Sequence, residues 1–294
     1  MTLKVDEFGK VTVSLGGVCK LWCKHCYITA RQFEHPKLRS VDSVIAELHE
    51  VRDLFKVICI SGDTDCFLDE VAGLELIERV CSSFPTADVM FTSRLVQHGH
   101  VLERILATAR DMARDGRLLV PCVSVVTWTY PNAIENPRLV PPTAERIAWL
   151  RDLAGQRMPC FLAIRPTFPF AVVLATEVEG MLDACAGAAA CVLGEVFILD
   201  KGNKIATRLK LAVVDETATV STLTFLDQPG LWEKRIYTEE IEFARKCSLE
   251  RGMPYFMRSM SAMSYLREYW DLDRGRSVWR ADQPLNVTIE ESLP

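Results

Sequence analysis

The feature that most constrains the fold is a regular alternation of short apolar segments with amphipathic segments over the first two hundred residues. The short segments are apolar along their whole length, which is typical of strands buried on both faces of a sheet. Helices that connect such strands imply parallel pairing. The predicted strands span residues 10–16, 56–62, 87–94, 117–127, 158–166 and 191–200, and the predicted helices span residues 41–54, 69–84, 98–114, 142–154 and 176–188.

Six β/α units are fewer than the eight that close a complete barrel, so the pattern predicts an α/β fold with an open, partial (β/α)6 barrel. In such barrels the chemistry lies at the carboxyl ends of the strands. The later sequence breaks the pattern, with strands or an extended connector predicted over 203–225 and helices over 238–252 and 253–270. We therefore predict a barrel over residues 1–200 and a C-terminal extension over 201–294, which closes the barrel and contributes to the substrate site.

The composition of the chain indicates the compartment of the protein and the kinds of partner it can have. The chain has no run of 18 or more apolar residues, and its start, "MTLKVDEFGK", lacks the apolar core of a signal peptide. These features predict a cytoplasmic protein with no membrane partner, in which the eleven cysteines stay free thiols or metal ligands. The net charge of −5 argues against a surface that mainly coats nucleic acid, although a local basic groove is compatible with it.

A loop directly after the first predicted strand is rich in cysteine, since "VCKLWCKHCYI" holds Cys19, Cys23 and Cys26. Three thiols are one too few for a closed tetrahedral zinc site, so zinc would need a fourth ligand from His25 or from a cysteine near the second strand. An iron–sulfur cluster also takes a local run of thiolates and can leave one iron open to another ligand. An open iron is what a catalytic cluster requires.

The spacing Cys-x3-Cys-x2-Cys, with a ring residue before the third cysteine, resembles the signature of the radical S-adenosylmethionine (SAM) superfamily. The resemblance implies a TIM-like partial barrel in which Cys19, Cys23 and Cys26 bind a [4Fe–4S] cluster and SAM binds the fourth iron. It also implies an electron donor of the flavodoxin or ferredoxin type. In this superfamily the reduced cluster cleaves SAM to a 5′-deoxyadenosyl radical, which abstracts hydrogen from a substrate C–H bond.

The same resemblance implies a turn after the second strand that receives the amino group of SAM. The sequence "ISGDTD" places Ser61, Gly62 and Asp63 there, with a carboxylate available for the ammonium group. The structural alternative is a plain strand-to-helix turn with Asp65 as the helix N-cap.

Four more side chains at predicted strand ends are candidate SAM ligands. Arg94 offers a bidentate fork for the SAM carboxylate, and Ser124 or Thr127 could hydrogen-bond the ribose. Arg165 is interpreted as a clamp for an anion of SAM or substrate, with half of a buried ion pair as the alternative. His25 is expected to stack on the adenine or hydrogen-bond near it.

A looser resemblance links the segments "DTDCFLDE", "FTSRLV" and "RPTFPF" to the subgroup related to spore photoproduct lyase. Cys66 stands where that subgroup often has proline, and Ser93 and Arg94 replace a Lys-Ser pair, which indicates a different substrate. The resemblance implies a hydrogen-atom donor in this region. Cys66 is the first candidate, ahead of Cys59 and Cys122, and the alternative is an inert, packed thiol.

The sequence thus predicts a radical SAM enzyme that acts on a small or medium polar substrate, such as a metabolite, amino acid, peptide or nucleoside. The reaction type stays open among oxidoreductase, lyase and mutase. A lyase that repairs DNA lesions is the first alternative, and the acidic net charge counts against it. A non-catalytic zinc-binding protein is the second.

Overall fold

A curled sheet of parallel strands forms a half-barrel at the centre of the molecule. The computed structural model describes residues 3–30, 37–61, 64–129, 134–200, 202–211, 218–222 and 232–278. Its strands are β1 Lys10–Val13, β2 Val57–Ile60, β3 Asp88–Ser93, β4 Leu119–Ser124, β5 Phe161–Ile164, β6 Cys191–Gly194, β7 Phe197–Asp200, β8 Thr219–Thr222, β9 Trp232–Ile236, β10 Tyr255–Phe256, β11 Trp270–Asp271 and β12 Arg276–Ser277. The half-barrel contains seven of them in the order β1-β2-β3-β4-β5-β6-β10. The prediction of a partial barrel is confirmed.

Helices follow the strands of the half-barrel, and those between its first six strands cover its convex face. The helices are α1 Tyr27–Ala30, α2 Val41–Glu50, α3 Glu70–Ser83, α4 Gly99–Arg114, α5 Thr143–Gly155, α6 Ala175–Cys185, α7 Lys204–Leu209, α8 Thr238–Glu250 and α9 Ser259–Tyr269. Two of them begin at side-chain caps, because Ser40 accepts a hydrogen bond from the Ser43 amide and Asp69 accepts one from the Ala72 amide. Such caps stabilise a helix by about 1 kcal/mol each.

The two faces of the sheet pack against different partners, as the period of two along a strand requires. Outward-facing side chains such as Val11, Ile58 and Phe91 belong to the large core shared with the helices of the convex face. Inward-facing side chains such as Val120 and Phe161 belong to a second, smaller core. The strands are therefore buried on both faces, which explains why their sequences are apolar without alternation.

The helix α9 packs against the concave face near the amino ends of the strands. It contributes Met263 and Tyr265 to the smaller core. Its Arg267 forms a two-pronged ion pair with Asp88, the first residue of β3, with both N–O distances at 2.5 Å. At its other end Ser259 accepts a hydrogen bond from Lys10 Nζ at 3.4 Å. The C-terminal part of the chain thus covers the amino end of the half-barrel, opposite the expected site.

The structure differs from the sequence prediction after residue 190. The strand predicted over 191–200 is two strands, because β7 leaves the half-barrel and pairs antiparallel with β9 in a separate sheet of order β7-β9-β8. The region 203–225 contains α7 as well as β8, and the Asp200 carboxylate caps α7 by accepting the Lys204 and Ile205 amides at 3.0 and 2.9 Å. The helix predicted over 253–270 begins only at Ser259.

The residues before that helix form β10, which pairs parallel with β6 and adds a seventh strand to the half-barrel. A run of two residues is too short to show a strand pattern in the sequence. The division at residue 200 stays a prediction, and both of its sides contribute strands to the half-barrel. Within the described ranges, no helix combines the length and the apolar character that crossing a bilayer requires.

Candidate active site

The three-cysteine loop lies at the carboxyl edge of the half-barrel, directly after β1. Cys19 and Cys23 are buried and Cys26 is half-buried. The Cys26 amide donates to the Cys23 carbonyl at 3.1 Å, which folds the loop back on itself. Trp22 adopts a left-handed backbone with φ of 53°, so the chain turns sharply between the first and second cysteines. The loop is thus compact, and it carries the three thiols at one edge of the half-barrel.

The surroundings of Cys19 and Cys23 favour the neutral thiol in the absence of a metal. Burial raises the pKa of Cys19, against the opposing effect of hydrogen bonds from the Leu21 and Asp65 amides. Burial raises the pKa of Cys23 to about 12, although the nearby Arg94 guanidinium acts in the opposite direction. A thiolate ligand here would therefore need the positive charge of bound metal.

The described residues contain no ready-made site for a single metal ion. In the described part of the chain, no group of three or more His, Cys, Asp or Glu side chains is placed to hold one metal ion. A [4Fe–4S] cluster binds each thiolate to a different iron, so its ligands stand farther apart than those of zinc. Cys19, Cys23 and Cys26 share one loop and are the thiols that could hold such a cluster.

The turn after β2 lies next to this loop. Ser61 has a left-handed backbone with φ of 83°, its amide donates to the Val13 carbonyl at 2.8 Å, and its hydroxyl bonds the Thr64 carbonyl. The structure therefore holds Ser61 in a tight turn at the end of β2. Gly62 and Asp63, the other two residues predicted for the SAM amino group, lie outside the described residues.

Asp65 fastens this turn to β3. Its buried carboxylate accepts hydrogen bonds from the Ser93 hydroxyl at 2.9 Å, the Arg94 amide at 2.6 Å and the Phe67 amide at 3.1 Å. Burial raises the pKa of Asp65, and these hydrogen bonds act in the opposite direction. The suggestion that Asp65 caps the next helix is wrong, because Asp69 is the N-cap of α3.

Arg94 lies at the end of β3, as predicted, and two of its three guanidinium nitrogens already have partners. Nε donates to Glu135 Oε1 at 3.1 Å, and Nη2 lies 3.2 Å from His25 Nε2 and 3.4 Å from the Arg165 carbonyl. Burial lowers the pKa of Arg94, but electrostatic interactions with Cys23 and with the Glu135 carboxylate outweigh that effect, and the net shift is upward. Arg94 is a permanent cation beside the cysteine loop.

Glu135 and Arg146 complete a buried charge network that the sequence reasoning missed. Both side chains are 0% exposed. Arg146 forms a two-pronged ion pair with Glu135 and donates to the Ser124 carbonyl at 2.6 Å. The sequence carried one signal for this pair, since Arg146 interrupts the apolar face formed by Ile147, Leu150 and Leu153 on α5.

His25 lies within this network instead of facing solvent. Its ring meets Phe168 edge-on at 5.4 Å between centroids. Burial lowers the pKa of His25 well below 6.5, and the charge of Arg94 adds to that effect, so the ring is neutral. Nδ1 is buried and makes no hydrogen bond with the described residues. A role at the adenine of SAM stays a prediction.

Of the two candidates for the ribose, Ser124 is buried at the end of β4, where its carbonyl receives Arg146. The Thr127 hydroxyl donates to Glu177 Oε2 at 2.9 Å, and the same carboxylate accepts the Trp128 and Thr129 amides at 2.9 and 2.6 Å. Thr127 therefore helps to fix the loop after β4. Ser124 is the better candidate of the two.

Arg165 follows β5 and is half-buried. Its Nε donates to the Gly194 carbonyl at 3.3 Å, and no carboxylate of the described residues forms an ion pair with it. Burial lowers its pKa, but the charges of Glu195, Cys122 and Cys59 outweigh that effect and raise it. The alternative of half a buried ion pair thus finds no support among the described residues, and the guanidinium stays available to an anion.

The three candidate hydrogen donors lie on different faces of the sheet. Cys66 is buried in the large core, where its Sγ lies 3.5 Å from the Thr92 carbonyl and its own carbonyl lies against Gly73 of α3. Cys122 belongs to the smaller core of the concave face, and Cys59 packs against that core while half-buried. Cys59 and Cys122 thus face the lumen, whereas Cys66 packs behind the sheet.

Comparisons with known proteins agree with the geometry at the level of the fold. A radical SAM methyltransferase from Sphaerobacter thermophilus is similar with a TM-score of 0.54 at 14% sequence identity. The radical SAM methyltransferase TsrM from Kitasatospora setae, with tryptophan substrate and a SAM analogue bound, is similar with a TM-score of 0.54 at 10% identity. These matches cover 85% and 86% of this chain but 65% and 55% of those chains. The structure thus has the α/β half-barrel of radical SAM enzymes.

The sequence comparisons add little. No protein-family model matches the chain. The replicative DNA helicase DnaC of Bacillus subtilis (strain 168) is 29% identical over 86 residues, which are 29% of this chain and 19% of the helicase. The chain contains no Gly-x4-Gly-Lys-Ser/Thr motif for a nucleoside triphosphate, so this local likeness gives no support to a helicase function.

Proposed function

We propose that this protein is a radical SAM enzyme, in which Cys19, Cys23 and Cys26 hold a [4Fe–4S] cluster and the remaining iron receives SAM. When bound, the cluster supplies one electron to SAM, which breaks to methionine and a 5′-deoxyadenosyl radical that abstracts hydrogen from the substrate. The substrate is a small or medium polar molecule. The observation that carries the proposal is that the loop with Cys19, Cys23 and Cys26 follows β1 directly, at the carboxyl edge of a parallel half-barrel.

The chain's own residues would position SAM and keep water away. Ser61, Gly62 and Asp63 would receive the SAM amino group, and Ser124 would hydrogen-bond the ribose. Arg165 has an available guanidinium in the lumen and is the favoured clamp for a carboxylate of SAM or substrate. Apolar residues of the concave face, which α9 covers from the amino end, exclude solvent from the site.

A product radical that the enzyme reduces needs a hydrogen-atom donor. A thiol that faces the lumen is the best-placed group for that role. In that step the S–H bond breaks, the product gains the hydrogen atom and a thiyl radical remains for later reduction by the electron donor. Cys59 is half-buried on the lumen side, so it comes before Cys66, which the sequence favoured. Cys66 stays as the alternative, since it lies near the same strand ends.

Two observations favour this function over the alternatives. A zinc-binding protein would need four ligands around one point. Of the candidates for the fourth ligand, His25 has its Nε2 beside Arg94 and Cys66 lies in the core behind the sheet, so Cys59 alone remains on the lumen side. A lyase that repairs DNA lesions would need a basic surface around the barrel mouth. The net charge of the chain is −5, which counts against such a surface. The TsrM structure binds tryptophan, which supports a small-molecule substrate in this fold.

The test is anaerobic reconstitution with iron and sulfide, followed by SAM, dithionite and fractionated metabolite pools, with 5′-deoxyadenosine measured by chromatography. We expect wild-type protein to form 5′-deoxyadenosine and Cys23→Ala to form none. The matched control is Cys81→Ala, which removes a buried thiol of α3 far from the loop and should retain the activity. Equal product from wild type and Cys23→Ala, or none from either, would overturn the proposal.

A further inference from the structure

The Arg94 guanidinium is held in one position by three neighbours from different parts of the chain. Nε is bound to Glu135 at 3.1 Å, and Nη2 lies between His25 Nε2 at 3.2 Å and the Arg165 carbonyl at 3.4 Å. Its backbone amide is bound to Asp65 at 2.6 Å. The side chain is 21% exposed, so it has little freedom to swing toward a ligand.

Glu135 is the group that orients this cation, and Arg146 fixes Glu135. The Glu135 carboxylate is 0% exposed and accepts Arg94 on one oxygen and both terminal nitrogens of Arg146. Arg146 is tied further to the Ser124 carbonyl at 2.6 Å and to the Thr143 hydroxyl at 3.4 Å. The network therefore joins the ends of β3 and β4 to α5 and cannot relax by moving one side chain.

The network carries two guanidinium groups, of Arg94 and Arg146, and two carboxylates, of Glu135 and Asp65. Its members differ in position, and electrostatic interactions in such a largely buried region are weakly screened. Arg94 lies at the side of the network that contacts His25, and His25 stands between Cys23 and Cys26 in the loop. The Arg94 cation is thus close enough to the loop to act on Cys23.

One-electron reduction adds a negative charge to a cluster and its thiolates. A fixed cation nearby stabilises the reduced form and raises the reduction potential, since buried charge and hydrogen bonding around a cluster are among the protein's means of setting that potential. This inference rests on the proposed radical SAM function, in which the cluster must be reduced before SAM is cleaved. A cation at Arg94 would make that reduction easier.

We propose that Glu135 is a positioning residue that holds the Arg94 cation beside the three-cysteine loop, and that Arg94 acts by raising the reduction potential of the cluster and not as the clamp of the SAM carboxylate. Arg165, whose guanidinium is not paired among the described residues, is left for that clamp. The two arginines, which follow β3 and β5, then have separate roles.

The experiment is a potentiometric titration of the reconstituted protein without SAM, followed by electron paramagnetic resonance (EPR). Arg94→Gln leaves the Glu135–Arg146 pair intact but removes the cation. We expect the cluster to bind the electron at least tenfold more weakly, which lowers its reduction potential by at least about 59 mV for a one-electron couple. Arg94→Lys keeps the charge and should stay closer to the wild-type potential. The matched control is Arg104→Gln, which removes an equal charge from the exposed Arg104–Glu78 pair on the helix surface.

Glu135→Gln is the second test, because it removes the carboxylate that holds Arg94 Nε at 3.1 Å while Arg94 keeps its charge. Since Glu135 acts by position, Arg94 is then no longer held beside the loop, and the potential should fall toward that of Arg94→Gln. A potential above that of the wild type would show that Glu135 acts through its own negative charge and not by positioning Arg94.

Three results would overturn the proposal. One is a potential of Arg94→Gln that matches that of Arg104→Gln. Another is an unchanged potential together with a tenfold loss of SAM affinity in Arg94→Gln, which would make Arg94 the carboxylate clamp. A wild type that binds no four-iron cluster would overturn the proposed function as well, whereas a wild type with a normal cluster and an insensitive potential would overturn this inference alone.

Discussion

Removing the charge of Glu135 should cost the protein a large part of its stability. The Glu135→Gln variant keeps the shape of the side chain but loses the carboxylate that accepts Arg94 Nε at 3.1 Å and both terminal nitrogens of Arg146. Arg146 would then be a fully buried cation with only the Ser124 carbonyl and the Thr143 hydroxyl as partners. Breaking a buried ion pair by removing one partner costs about 3–5 kcal/mol.

The assay is urea unfolding of the apo-protein followed by circular dichroism, with the free energy of unfolding extrapolated to water. The double variant Glu135→Gln/Arg146→Met removes both members of the buried pair and should lose less stability than the two single variants together, by about 1–3 kcal/mol. Arg104→Gln, at an exposed pair, should leave the free energy of unfolding nearly unchanged. A loss below about 1 kcal/mol for Glu135→Gln, or strict additivity in the double variant, would refute the reasoning.

Three further predictions test other parts of the structure. In Gly73→Ala the new Cβ would lie 2.0 Å from the Cys66 carbonyl, so we expect a loss of about 1–3 kcal/mol in urea unfolding, whereas Gly155→Ala, with nothing within 4 Å, should be neutral or slightly stabilising. Because the folded-state pKa of His25 lies well below its ordinary 6.5, the unfolded apo-protein binds the extra proton, and stability should fall as pH drops below 6.5 by up to about 1.4 kcal/mol per unit. His25→Gln should flatten that slope, and an equal slope in both proteins would contradict the burial of a neutral ring. Iodoacetamide should alkylate half-buried Cys59 before buried Cys66, as peptide mass spectrometry can measure, and the reverse order would contradict the placement of the two thiols.

The half-barrel could be predicted from the sequence because its strands carry a strong pattern. Strands buried on both faces, such as β4 and β5, must be apolar throughout, and the helices between them must be amphipathic. The seventh strand, β10, could not be predicted, since two residues that join the sheet through pairing with β6 carry no periodicity. The departure of β7 into a second sheet depends on its long-range partner β9, which local sequence does not indicate.

The candidate site was predictable to the extent that local spacing determines it. Cys19, Cys23 and Cys26 share one loop, so their proximity follows from the chain itself. The partners of Arg94 did not follow, because Glu135 lies 41 residues away and reaches Arg94 only through the folding of the loop after β4. When Glu135 is not known to be its partner, Arg94 at the end of a strand looks like a free ligand for an anion. Only the three-dimensional contacts show that most of the N–H donors of its guanidinium are occupied.

The central claim is that the three-cysteine loop leaves one site of a cluster open for SAM. The most direct measurement is EPR of the anaerobically reconstituted, dithionite-reduced protein with and without SAM, together with iron and sulfide analysis. The account predicts about four irons and four sulfides per chain, a brown protein, and a cluster spectrum that changes when SAM is added, with all three lost in Cys23→Ala. A colourless protein that holds one zinc ion, or a cluster whose spectrum does not respond to SAM, would contradict it.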